Sequence, residues 1–323
     1  MKKNRDITVD TLRGIACLLL VSFHVIGSNS SNGLHISDGI YREISDLLIF
    51  IRMPLFTFLS GYIYAYRPFN SDSKKYVKGK ASRLLMPMLT VGTAFAIIQI
   101  LMPGSNQSIN QWYLIHIIPV GHFWFLESVF LIFMLMIPLE KYQLLSTKLN
   151  FFIVFCFVTL LYLSSIELNY FAISGFIYLL PFFLFGVAVR RFNLSSFVNF
   201  KMILLMLAVV LSLVITISMD LIVIESKRTL LPLLMGCVSC FVLLNCQFKS
   251  EILAKIGIYS YSIYLFHVFF TAGSRIILSK VGVSDINLLF ICSLFLGVFG
   301  AILTELIFDK YKITRLSLLG KSR

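Results

Sequence analysis

Apolar runs long enough to cross a lipid bilayer recur along the whole of this 323-residue chain. A spanning helix needs about 17–25 predominantly apolar residues. Ten segments have that character: 11–29, 45–66, 84–102, 123–139, 150–167, 173–190, 202–222, 229–246, 258–279 and 287–308. Hydrocarbon offers the backbone no partner, so each run must satisfy its own N–H and C=O groups, and continuous runs of this length do so as helices. The expected fold is all-α, a polytopic membrane protein of about ten transmembrane helices forming one domain over residues 1–323. With 58% hydrophobic and 13% charged residues and a mean hydropathy of +0.89, no stretch is left over for a soluble domain.

The charged residues fall unevenly between these segments. The chain carries 28 Lys+Arg against 15 Asp+Glu, a net charge of +13. A balance this basic in a water-soluble chain would raise nucleic acid as a partner. Here the intervals explain it. Of the 28 basic residues, 21 lie in intervals on the side of the N-terminus, including the six from Arg67 to Arg83. The opposite side has four, Arg42, Lys227, Arg228 and Lys280, while Arg13, Arg52 and Arg275 fall in or at the ends of spans. By the positive-inside rule both termini are expected in the cytoplasm. Lys2, Lys3 and Arg5 before a short apolar run have the look of a signal peptide. Asp6, Asp10 and Arg13 ahead of the run, His24 within it and the lack of a small-x-small cleavage site indicate a retained first span instead.

Several familiar chemistries lack their residues. The six cysteines lie in or beside apolar segments, and Cys237-x-x-Cys240 has redox spacing without a strand or second ligand pair, so buried thiols are expected. No metal-ligand spacing, glycine-rich phosphate loop or G-x-S-x-G elbow is present. Gly14, Gly61, Gly92, Gly175, Gly186, Gly236, Gly273 and Gly297 read as helix-packing positions.

What remains is a short list of polar side chains at membrane depth, where ionisable groups are costly and usually functional. Arg13 and His24 are eleven residues apart, about three helical turns, so they share one face roughly 16 Å apart. Asp10, three residues before Arg13, can pair with it. Arg13 either snorkels to the headgroups or serves function. Lys80 and Arg83 lead into the third span at Leu84-Leu85-Met86-Pro87, where two cations can clamp a phosphate-bearing ligand or simply attract anionic lipid. Glu127 opens the fourth span as a solvated acid or a partner for the imidazole. His267 sits mid-span among hydroxyls and aromatics. Arg52 precedes Pro54, whose missing N–H frees a carbonyl that a guanidinium could satisfy. His35 reads as a solvated loop residue. The interval 103–122 has no Lys, Arg, Asp or Glu but carries His116 and His122, with Trp112, Tyr113 and Trp124 as interfacial aromatics.

Asp10-Thr-Leu-Arg-Gly-Ile-Ala, Arg13-x10-His24, Met53-Pro-Leu-Phe-Thr-Phe-Leu-Ser-Gly-Tyr62, Lys80-x-x-Arg-Leu-Leu-Met-Pro87, Phe123-Trp-Phe-Leu126 and Ser260-Tyr-Ser-Ile-Tyr-Leu-Phe-His267 arrive in an order that resembles the acyltransferase-3 family. The resemblance runs over about residues 5–310 and is nearest to the fucose 4-O-acetylase-like branch. It implies a ten-span enzyme of the bacterial inner membrane that moves an acyl group, by default acetyl from acetyl-CoA, to a sugar hydroxyl of a surface or exported polysaccharide. By resemblance His24 is the catalytic histidine with Arg13 its companion, and Lys80 and Arg83 handle the CoA donor. Asp10 and Glu127 join the candidate catalytic set. Arg52, Trp124, Tyr261 and His267 are candidates for contact with the polysaccharide or lipid-linked glycan acceptor. Arg52 departs from the histidine the family often places before Met-Pro, which bears on acceptor choice. No permanently bound cofactor and no metal is expected; membrane lipids surround the chain, and a homo-oligomer is compatible with the sequence.

A neutral imidazole at that depth is competent as a base toward a hydroxyl, and a transient acyl-histidine is the second route. Two other classes share these residues. In a transporter or flippase, Arg13, His24 and Glu127 would line a path, although the spans show no duplicated halves. In an assembly subunit of an export complex, buried charges would only pin helices together.

Overall fold

The computed structural model describes residues 6–101, 112–168, 170–219, 221–222, 224 and 226–321. Lys2, Lys3 and Arg5 of the basic tail and the first part of the 103–122 interval lie outside the described residues. Among the described residues thirteen α-helices follow one another: α1 (Ile7–Ile26), α2 (Ile40–Leu47), α3 (Ile49–Tyr64), α4 (Ser73–Leu101), α5 (Trp124–Lys141), α6 (Lys148–Leu163), α7 (Ile173–Arg191), α8 (Phe200–Ser218), α9 (Leu230–Asn245), α10 (Glu251–Ile258), α11 (Ser260–Lys280), α12 (Ile286–Phe308) and α13 (Lys312–Ser317). The fold is all-α.

Among the described residues seven helices are long and apolar enough to cross a membrane, and α2 with α3, bent by 41° at their junction, makes an eighth. The expected spans at 150–167 and 229–246 correspond to shorter apolar helices of 16 residues each, α6 and α9. The reason α6 stops early is visible at its end. Arg228 donates to the carbonyls of Tyr162 at 3.0 Å, Ser164 at 2.5 Å and Ile166 at 2.6 Å. Carbonyls that a further turn would have occupied are thereby drawn to a guanidinium. In the other direction, the third span was expected to start at 84 but α4 begins at Ser73, so Lys80 and Arg83 lie two to three turns inside a helix rather than at its entrance. Likewise α1 starts at Ile7 rather than 11, because the Asp6 carboxylate accepts from the amides of Thr8 and Val9.

The outer surface of the bundle is apolar. Phe152, Ile153, Phe157 and Leu160 on α6, Leu205, Leu211 and Ile215 on α8, and Ile291, Phe295 and Leu303 on α12 are all exposed. Each such side chain left in water forfeits about 1.5–3 kcal/mol relative to burial, so this belt requires lipid. The protein is a multi-pass membrane protein.

Inside, α1 occupies the centre against α3, α9, α10, α11 and α12, while α3 pairs with α7 and α11 with α12. Leu12, Ala16, Cys17 and Val21 of α1 are wholly buried. Two crossings are glycine contacts. A Cβ at Gly14 would strike the carbonyl of Leu253, and one at Gly257 would strike that of Asp10, so α1 and α10 touch backbone to backbone. Gly61 and Gly186 do the same for α3 and α7, against Phe183 and Phe58. Gly236 and Gly297 also serve close packing, whereas Gly273 faces open space, contrary to its reading as a packing glycine. At one end of the bundle Arg191 of α7 pairs with Glu140 of α5 at 2.5 Å and donates to the Leu145 carbonyl at 3.0 Å. Cys237 and Cys240 are buried free thiols, while Cys156 and Cys246 are exposed on the bundle surface.

Replacing Gly257 by leucine should force α10 away from α1. Overpacking of this kind costs about 1–3 kcal/mol or more. The purified variant in detergent is expected to melt at lower temperature than wild type, whereas Gly273→Leu, with nothing within 4 Å, should melt close to it. Equal melting of the two variants would refute the crossing.

Candidate active site

His24 lies in the last turn of α1, where the helix ends because Gly27 adopts φ 96°, a conformation that glycine enters without strain, and returns its N–H to the Phe23 carbonyl. His122 belongs to a 3-10 turn, Gly121–Phe123, that leads into α5. Gly121 takes φ 55°, and a Cβ there would press on Phe95. The Tyr264 hydroxyl donates to the His122 carbonyl and ties this turn to α11. His267 sits two turns into α11 and is wholly buried. Three histidines widely separated in sequence thus meet at one point. The ring centroids of His24 and His267 are 4.8 Å apart, those of His122 and His267 5.0 Å, and those of His24 and His122 5.7 Å.

The tautomer of His267 follows from its partners. Its Nδ1 lies 2.8 Å from the Ile263 carbonyl and 3.0 Å from that of Tyr264. Carbonyls only accept, so Nδ1 carries the hydrogen, and in the neutral ring Nε2 can only accept. That Nε2 is buried without a partner, as is Nε2 of His122. Buried imidazole nitrogens seldom lack a partner, and each such gap calls for an explanation. Among the described residues, no group of three His, Cys, Asp or Glu is arranged to hold a metal ion, these histidines included.

His24 is only partly buried because it borders a cavity of about 370 Å³. Arg52, Trp124, Tyr178, Lys227 and Arg275 line the same space, together with His122 and Tyr264. Arg52 is held at the bend between α2 and α3, its Nη2 donating to the Ser45 carbonyl at 2.8 Å and its guanidinium 3.9 Å from the Phe23 ring. The carbonyl that Pro54 frees is four residues back, at Phe50. Arg52 instead serves Ser45, because the bend at Leu48 turns the end of α2 toward it. His35 is an exposed loop residue.

The other anticipated residues lie elsewhere. Arg13 pairs with Asp10 at 3.4 Å near the opposite end of α1, where Gly14 meets α10, and neither lines the cavity. Glu127 is buried in the first turn of α5 with Oε2 unpartnered, and no hydrogen bond joins it to an imidazole among the described residues. Lys80 places its ammonium 3.4 Å from the Phe133 ring and 5.3 Å from Tyr76. Arg83 lies 4.3 Å from the Tyr261 ring, donates to the Leu319 carbonyl at 3.3 Å, and receives the Tyr261 hydroxyl on its own carbonyl.

Tyr261 therefore goes with Arg83 rather than with Trp124 and Arg52. Tyr261 and Arg83 line a second cavity of about 460 Å³ with Tyr259, Glu305 and Lys321. α11 passes both spaces: Tyr261 borders one, and Val268, Thr271 and Arg275 the other, about 10–21 Å further along the axis. Residues not singled out for chemistry include His122, Tyr178, Tyr264, Lys227 and Arg275. His122 stands directly before Phe123-Trp-Phe-Leu126, which was the signal available for it.

No curated protein and no solved structure matches the chain. The family model described as an acyltransferase domain matches residues 6–306, from the cap of α1 almost to the end of α12. The bundle that carries the histidine cluster is therefore an acyltransferase domain, and the chain belongs to the acyltransferase-3 family as a membrane acyltransferase.

Proposed function

We propose that this enzyme transfers an acetyl group from cytoplasmic acetyl-CoA to a sugar hydroxyl of a surface or exported polysaccharide, with His24 as the base. The observation that carries the reading is the position of His24, at the wall of a cavity and against two further imidazoles. In the proposed orientation the basic end of the bundle, with Arg83, Lys310 and Lys321, faces the cytoplasm of a bacterial inner membrane. The Arg83 cavity then opens to the donor and the His24 cavity to the acceptor. Family membership favours this enzyme over the transport reading of the same residues.

The chemistry follows from the tautomers. His267 Nε2, an acceptor without a partner in this structure, lies on a ring 4.8 Å from that of His24; on a turn of the His24 ring during catalysis it takes the His24 N–H, which leaves the second nitrogen of His24 with a lone pair for the hydroxyl. That nitrogen takes the proton of the sugar hydroxyl as its oxygen attacks the thioester carbonyl. The tetrahedral intermediate collapses, the C–S bond breaks, and the departing CoA sulfur receives the proton from His24. An N–H accepted by a fixed neighbour orients a catalytic imidazole much as the third member of a hydrolase triad does. Lys80, Arg83 and Arg13 would bear on the donor at the inner end, where cations suit phosphates.

Three outcomes are expected. His24→Ala should insert and melt like wild type yet lose about 10²–10⁴-fold in acetyl transfer, the range of general-base catalysis; transfer at the wild-type rate ends the proposal. His267→Ala should lower kcat with little effect on the KM for acetyl-CoA, and His267→Gln, whose amide oxygen can stand in for Nε2 as acceptor, should recover part of it. Identical kcat values for these two variants would rule out the positioning role. Arg83→Gln should raise the KM for acetyl-CoA about tenfold or more, as loss of a charge-assisted hydrogen bond does, and an unchanged KM would place the donor elsewhere.

A further inference from the structure

The cavity beside His24 is lined by three cationic side chains, Arg52, Lys227 and Arg275, and among the described residues by no aspartate or glutamate. They come from three separate parts of the chain: the start of α3, the loop before α9, and the last third of α11. Arg52 is the informative one. It is 4% exposed, and its Nε is buried with no hydrogen-bond partner. What it touches, the Ser45 carbonyl and the face of Phe23, offers partial charge only. A buried cation is normally paired, because desolvating it costs several kcal/mol.

Among the described residues, the acid that acts on this cluster, Asp46, does not discharge it. Asp46 lies 3.8 Å from Arg42, and its side chain is 63% exposed. Burial and the Arg52 charge lower the pKa of the Lys227 ammonium, and Asp46 only opposes them. Lys227 is also held in place. The neighbouring Arg228 is fastened to the carbonyls of Tyr162, Ser164 and Ile166, so the loop keeps Lys227 at the cavity edge. Arg275 is half-buried and makes no ion pair among the described residues.

Resting on the glycan-acetylation reading above, we infer that the acceptor is acidic: a sugar whose carboxylate or phosphate oxyanion is received by Arg52, Lys227 and Arg275 while its hydroxyl faces His24. A guanidinium with an N–H to spare presents fork geometry to such an oxyanion, and Lys227 and Arg275 add charge around it. The anion supplies the counter-charge that no described acid at the cavity provides. The same chemistry has two sources, a uronic acid within the glycan or the diphosphate that links a glycan to its lipid carrier.

The test uses the full-length protein in nanodiscs with acetyl-CoA and three acceptors: a hexuronate oligosaccharide, its carboxyl-reduced neutral counterpart, and a neutral sugar on a short polyprenyl diphosphate. One or both anionic acceptors should show kcat/KM about 10–100-fold above the reduced oligosaccharide, the range expected for hydrogen bonds to charge. Which of the two gains names the source. Arg52→Gln should bring that ratio toward one, chiefly through KM. Because Arg52 also braces the α2–α3 bend, Lys227→Gln, which removes no side-chain hydrogen bond among the described residues, is the second variant and should move the ratio the same way. Acetylation of the neutral sugar as efficient as that of both anionic acceptors overturns the acidic-acceptor assignment and leaves glycan acetylation standing. A gain that appears only when succinyl-CoA replaces acetyl-CoA puts the anion on the acyl group and overturns it too. Consumption of acetyl-CoA with no sugar acylated defeats the glycan reading itself.

Discussion

Hydrocarbon offers neither hydrogen bonds nor counter-ions, so a polar side chain on a membrane helix must find its partner on another helix or at the wall of a cavity. The bundle is arranged around that constraint. Arg191 meets Glu140, Arg228 gathers the carbonyls at the end of α6, and Arg42 donates to Gly27 and Ile36. Where pairing is complete, the group holds the fold. Pairing is incomplete at His122 Nε2 and Arg52 Nε, whose side chains line the His24 cavity, and at His267 Nε2 against the His24 and His122 rings, as well as at Glu127 Oε2, Tyr76, Thr159 and Ser262 away from it.

That clustering depends on how closely the helices approach. Backbone contacts at Gly14 and Gly257 hold the first half of α1 to α10, which leads within two residues into α11. The register between α1 and α11 then places His24 beside His267, while the Tyr264 hydroxyl brings the turn carrying His122 onto the same helix. A helix displaced by one side chain at the Gly14 crossing would leave the imidazoles too far apart for one to orient another. Rigidity at one end of α1 is thus tied to chemistry at the other.

The spans were legible because a helix in lipid needs a long apolar run and little else, and the helical class and most span positions follow from that. Boundaries were less legible wherever polar residues continue or curtail a helix. α4 runs eleven residues ahead of its apolar stretch since lysines are good helix formers in water, and α6 stops at Leu163 because a distant arginine takes its carbonyls. His24 could be singled out, since an imidazole inside an apolar run is conspicuous by its cost. His122 could not, because an aromatic-rich interval between spans gives a histidine every appearance of an interfacial residue. Tyr261 and His267 stand six residues apart in one motif, yet Tyr261 borders the Arg83 cavity while His267 is wholly buried against the His24 and His122 rings.

The sequence by itself determined that this chain is a helical membrane protein, that Arg13 and His24 stand about three turns apart on one face, and that the motifs of an acyltransferase run in order along it. These are properties of single segments, read from composition and helical spacing. Only the tertiary structure decided which polar groups share a site. It brought His122 and His267 to His24, put Arg83 with Tyr261 in a separate cavity, and gathered Arg52, Lys227 and Arg275 with no acid among the described residues of that cavity. The reason is physical: helix spacing sets the face a residue occupies, whereas the partner that face meets depends on which helices can approach backbone to backbone.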